Sequence, residues 1–232
     1  MGNGKAPAGA RTALTSLYLH SGMLASLSAT ARRTLLLEAH AASNYSMAQY
    51  MLSRHDVSAG TIRFAYHLGI LDMDHVANTT ADNPNMPPDV LEALSTRGSR
   101  TRYKVARHPN TTRDVLRALG SDREYLVQHE VAANSHTPDD VLVELALSTR
   151  PTIVFSVLNN PSSSERTVRL ALNNRHILDE FWVGRIRGSG DSRSLFLMRM
   201  LDHPSPQVRD SVCQLSRVSD HLRAVMALAS GN

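Results

Sequence analysis

Eleven histidines, 21 carboxylates and a single cysteine, Cys213, are the residues of this chain most able to do chemistry. One cysteine excludes a disulfide framework and any multi-cysteine metal cluster within the chain. The histidines lack the spacing of a metal site: there is no HExxH, and no pair shares a helix face with a carboxylate. No metal and no cofactor is expected. A row of acids (Asp89, Asp114, Asp139 and Asp140) recurs in DVL-type segments near the starts of helices. Carboxylates there meet free N–H groups and the positive end of the helix dipole, so the row reads as structural rather than catalytic. GSGDS at 188–192 lacks the GxxxxGK[ST] pattern and reads as a turn between helices.

Basic residues are the other chemistry on offer. The net charge is +4 with histidine neutral, and Arg97, Arg100, Arg102, Lys104, Arg107, Arg113, Arg117 and Arg123 stand against only Asp114 and Asp122 in the same stretch. A basic groove there would attract phosphate without reading bases. Only Tyr103 and Tyr125 lie in or beside it, so base stacking has little support. The competing and preferred reading is a solvated helix face with charge partners on the next repeat. Arginine outnumbers lysine, as GC-rich coding produces, which suggests a bacterial or phage source.

These residues sit on a repeat. NPNMPPDVLEAL, HPNTTRDVLRAL, NSHTPDDVLVEL and NPSSSERTVRLAL follow one another, with Pro84, Pro109, Ser135 and Pro161 recurring every 25 or 26 residues. Such a period indicates stacked supersecondary units. Six and seven residues after each anchor come Val90-Leu91, Val115-Leu116, Val141-Leu142 and Thr167-Val168. Weaker units are expected outward from anchors at 28, 56 and 189, with Thr34-Leu35, Ile62 and Leu195-Phe196 in those columns. Each unit is predicted to hold two short helices. Pro88, Thr112, Pro138 and Ser164 suit the start of the first. The second carries apolar pairs four apart: Ala48/Leu52, Val127/Val131, Ile153/Val157 and Val208/Val212. His55, Asn83, His108, Asn134 and Asn160, each just before an anchor, are expected to serve the turns between units.

VARHPNTTRDVLRAL and VAANSHTPDDVLVEL resemble leucine-rich repeat variant units, which are similar to VAxNPxTPxxVLxxLA. SPQVRDSVCQL at 205–215 resembles the segment between such blocks. The resemblance is specific over residues 80–172 and weaker elsewhere. It implies a right-handed superhelix of paired short helices, HEAT-like in general shape. The iron–sulfur module of the first described members needs several cysteines, so it does not carry over. Some HEAT-like solenoids are DNA glycosylases built around Trp, Asp and Arg. Trp182, Asp179 and Arg185 only caricature that set, and the repeat length differs, which leaves glycosylase action a remote third reading.

The expected fold is therefore all-α: about seven helix-pair repeats of 25–28 residues in an α-solenoid. Residues 1–11 are expected to be a disordered tail and 12–27 a cap. Repeats run from about 28 to 215, and a closing helix covers 216–230. The expected function is non-catalytic binding of a protein partner on the surface built by the second helices, with Arg102, Lys104, Gln128, Glu130 and Ser156 exposed there. Arg100, Arg102, Lys104, Arg107, Gln128, Glu130, Trp182 and Arg185 are the candidate binding residues. The alternative is nucleic-acid binding through 97–123. Neither a signal peptide nor a membrane span is expected, and a cytoplasmic location follows.

Overall fold

The computed structural model describes Leu24, residues 26–174 and His176. All regular structure among the described residues is helical: α1 (Ala29–Ala41), α2 (Tyr45–Leu52), α3 (Ala59–His67), a 3-10 turn (Ile70–Asp72), α4 (Asp74–Thr80), α5 (Pro88–Leu94), α6 (Ser99–Arg107), α7 (Arg113–Gly120), α8 (Tyr125–Ala133), α9 (Asp139–Ala146), α10 (Pro151–Asn159) and α11 (Glu165–Leu172). None is long and apolar enough to cross a membrane. The described residues fall into two compact units that divide between Val115 and Leu116, inside α7.

Local sequence sets the helix starts. Ser28, Asn44, Ser58 and Ser164 accept a hydrogen bond from the backbone N–H three residues on, so each satisfies one free donor of its helix. The Thr112 hydroxyl does the same for Val115 at 3.4 Å. Pro87 and Pro138 occupy the residue before α5 and α9, and Pro88 and Pro151 stand in the first turns of α5 and α10, where a missing N–H costs nothing. Gly69, at φ 73°, takes the left-handed conformation that separates α3 from the 3-10 turn.

In the first unit α1 packs on α2 and α3, α2 on α4, α4 on α6, and α5 on α6. In the second unit α8 packs on α10, α9 on α11, and α10 on both α9 and α11. Helices therefore lie against neighbours two places along as well as one. The expected columns form the core: Val90, Leu91, Leu94, Val115, Leu116, Leu119, Val141, Leu142, Leu145, Thr167 and Val168 are all buried, as are Ala48, Leu52, Val127, Val131, Ile153 and Val157. Val208/Val212, the anchor at 189 and the closing helix lie outside the described residues.

Two of the expected columns are out of register. Ser28 is itself the cap of α1, so Arg32, Leu36 and Ala39 turn inward while Thr34 is exposed and Leu35 half-buried. Ser58 caps α3, which puts Thr61 and Ile62 at the places Val90 and Leu91 take in α5, so Ile62 lies one column later than expected. In both cases serine capping decides the phase, and the apolar run alone misplaces it.

Candidate binding surface

Several of the polar side chains that sequence singled out are occupied in holding one repeat to the next. Asn83 donates from Nδ2 to the carbonyls of Leu52 and Arg54, both at 2.8 Å, and its Oδ1 accepts the Asn85 N–H at 2.9 Å. Asn160 repeats this in the second unit, donating to Ala132 at 2.7 Å and Asn134 at 2.8 Å and accepting from Ser162 at 2.8 Å. His108 replaces asparagine in the same column. Its Nδ1 accepts the Asn110 N–H at 3.0 Å, so Nε2 carries the proton and donates to the Asn83 carbonyl at 2.9 Å. Sequence placed these residues at turns but did not show that they bridge repeats.

Two further sets of bridges were not expected. Asn85 and Asn110, two residues after the first column, donate to His55 and Val57 and to Pro84 and Met86 respectively. Asn174 donates to Ala146 at 2.8 Å and Ser148 at 2.9 Å. The Asn-Pro-Asn spelling at 83–85 is the only sequence signal for the former, and Asn174 has none.

The row of acids binds across repeats too. Arg63 pairs with Asp89 through two bonds of 2.7 and 2.8 Å, and these hold the Asp89 carboxyl below its usual range. Arg117 pairs likewise with Asp140 and lowers it. Burial raises the Asp139 carboxyl, but hydrogen bonds from the Thr167 hydroxyl at 2.6 Å and the Ser164 N–H at 2.8 Å outweigh it, and the net shift is downward. Buried Arg32 donates to the Asp56 carboxylate and carbonyl, both at 2.7 Å, and to the Leu24 carbonyl at 3.0 Å. Burial raises Asp56 as well, and the bonds from Arg54 and Arg32 bring it below its ordinary value. These carboxylates are structural partners: Asp56, Asp89 and Asp140 are matched to a donor on the preceding helix pair and Asp139 to donors on the following one.

The basic stretch divides in two. Arg97 pairs with Asp72, Lys104 with Asp82 at 2.5 Å and the Asn78 carbonyl at 2.7 Å, and Arg117 with Asp140. Arg102 is half-buried and donates to the Arg97 carbonyl at 2.7 Å. Arg100, Arg107, Arg113 and Arg123 are exposed and form no ion pair among the described residues.

The second-helix face is less open than sequence suggested. Ser156 is buried at 9 % exposure, packed in α10 between Ile153 and Val157. Arg102, Lys104, Gln128 and Glu130 are half-buried. Gln128 donates to the Asp122 carbonyl at 2.8 Å, and the Glu130 carboxylate lies 3.4 Å from His129 Nδ1. Lys104 reaches back to the preceding helix pair, whereas Arg102 and Gln128 fold onto the turn before their own helix. Trp182, Arg185 and Asp179 lie outside the described residues.

Exposed apolar surface gathers elsewhere. Tyr125, Leu126 and Leu147 are 41, 50 and 62 % exposed, and the only other large apolar side chain so open among the described residues is Leu37. Tyr125 and Leu126 begin α8; Leu147 follows α9. The Arg150 guanidinium, at the start of α10, lies 4.4 Å from the centroid of the Tyr125 ring. The Tyr125–Arg150 contact joins the starts of α8 and α10, with Leu126 next to Tyr125 and Leu147 three residues before Arg150 in the chain. Sequence gave no sign of this, because the two turns meet only once α10 packs on α8.

Among the described residues no three of His, Cys, Asp and Glu come together as metal ligands would. No protein-family model, curated protein or solved structure matches this chain.

Proposed function

We propose that the protein is a non-catalytic helical-repeat scaffold that binds a protein partner, and that its 25–28-residue helix-pair repeats follow a right-handed α-solenoid pattern. The observation that carries the binding reading is the exposed edge of Tyr125, Leu126 and Leu147 around Arg150. Aromatic side chains and arginine are enriched in protein interfaces, and a cluster of exposed apolar side chains marks an interaction surface more often than a random surface does. The solenoid reading is supported by the resemblance to leucine-rich repeat variant units and by asparagine bridges recurring at repeat intervals. A cytoplasmic location agrees with the single cysteine.

A second reading is favoured by one observation: Arg100, Arg107, Arg113 and Arg123 are exposed and unmatched by carboxylates among the described residues. Backbone-directed nucleic-acid binding would use them. Affinity capture from a lysate of the native host, with and without nuclease, separates the two. The expected result is a specific protein retained in both arms. Nucleic acid in the untreated arm, with every co-captured protein lost after nuclease, would overturn the scaffold reading in favour of the second.

A further inference from the structure

We propose that the edge formed by the starts of α8 and α10 docks a peptide segment that presents one carboxylate beside an aliphatic side chain. This rests on the protein-partner reading and gives that partner its chemistry. Arg150 is the centre of the argument. Its guanidinium lies on the Tyr125 ring and makes no hydrogen bond or ion pair among the described residues. Stacking on an aromatic face holds a guanidinium in place while leaving its N–H groups free for a carboxylate, which they bind through two parallel bonds. A side chain ordered before binding loses less entropy on binding.

Leu126 follows Tyr125 in the chain, Leu147 precedes Arg150 by three residues, and both are half or more exposed, so the matching segment needs an apolar side chain near its carboxylate. The surrounding charges limit how acidic the segment can be. Arg123 and Glu124 are both exposed on the turn before α8, and the Asp122 carboxylate beside them accepts the Glu124 N–H at 2.9 Å. A run of acids would meet Glu124 and Asp122, whereas a single carboxylate reaches Arg150 without them. Recognition is therefore local, with little long-range attraction.

The test uses the full chain and a randomised library of short leucine-containing peptides made in two forms, one with Asp and Glu and one with Asn and Gln in their place. The carboxylate form is expected to be retained about tenfold better, a difference of the size one charge-assisted pair provides. Arg150→Gln should erase that preference, and Leu147→Ser should weaken retention of both forms. Glu92→Gln, at an exposed position in the first unit, should change nothing. Helicity by circular dichroism confirms that each variant folds. Equal retention of the two forms, equal retention by wild type and Arg150→Gln, or no retained peptide would overturn the proposal. Host capture distinguishes its failure from that of the parent reading. A nuclease-resistant host protein held equally by wild type and by the Arg150→Gln, Leu147→Ser double variant leaves the scaffold reading standing and this edge rejected. If the twin peptides behave as expected but no such host protein is found, the edge stands and the scaffold reading fails.

Discussion

His108 shows how one side chain can copy another. Asparagine at this column offers an N–H on one side and an oxygen on the other, and neutral imidazole offers Nε2–H and bare Nδ1 in the same directions. Protonation would put a second proton on Nδ1 and remove the acceptor of the Asn110 N–H. Burial lowers the pKa of His108 from 6.5, against smaller upward pulls from the Asn83 carbonyl and Asp82. A folded value below the unfolded one means that the unfolded chain binds more protons. The contribution of neutral His108 is thus complete above about pH 6.5 and lost as the pH falls through the depressed value. Thermal unfolding followed from pH 8 to pH 5 should show this loss, and His108→Asn should flatten that part of the profile. The carboxylates held low by arginine act only below their ordinary value of 3.8, outside that window. The exchange of histidine for asparagine at one position was readable in the repeat alignment; the proton arrangement needed the partners. Arg32 was not readable at all. Its buried guanidinium donates to the Asp56 carboxylate and to the Asp56 and Leu24 carbonyls, partners that no local pattern announces.

At the scale of the helix pair, the bridges fix which backbone carbonyls of one repeat face the next. Asn160→Ala would strip partners from the Ala132 and Asn134 carbonyls and the Ser162 N–H. Leaving such groups buried and unmatched costs about 1–3 kcal/mol, to be measured by denaturant unfolding. Gly120 marks a second tight contact. A Cβ there would sit 2.7 Å from Val141 Cγ1, so the end of α7 can approach α9 only without a side chain. Gly120→Ala should destabilise by about 1–3 kcal/mol through overpacking. Val141→Ala in the same chain should recover part of that loss. The helices themselves were legible because caps, prolines and apolar spacing are local signals. The register of α1 and α3 was not, because the apolar pattern pointed to one phase and the serine caps, which prevail, to another.

For the molecule as a whole, sequence revealed the repeat but not which charges remain available. Arg97, Lys104 and Arg117 are matched to carboxylates 25, 22 and 23 residues away, which a linear charge count cannot see. Four exposed arginines remain in the basic stretch. Duplex DNA binding, followed by fluorescence anisotropy against salt, should give a log–log slope no steeper than about −4, since each contact contributes about −0.9. The edge around Arg150 was illegible for the opposite reason: its members are ordinary residues, unremarkable until two turns are brought side by side. The asparagine bridges have one more consequence, for the lifetime of the protein. Asparagine ages by deamidation when the next backbone nitrogen attacks its side-chain amide, leaving aspartate. Asn83 and Asn160 are followed by Pro84 and Pro161, whose nitrogens carry no hydrogen and cannot take that route. The residue that shapes the turn between repeats therefore also protects the amide that ties those repeats together.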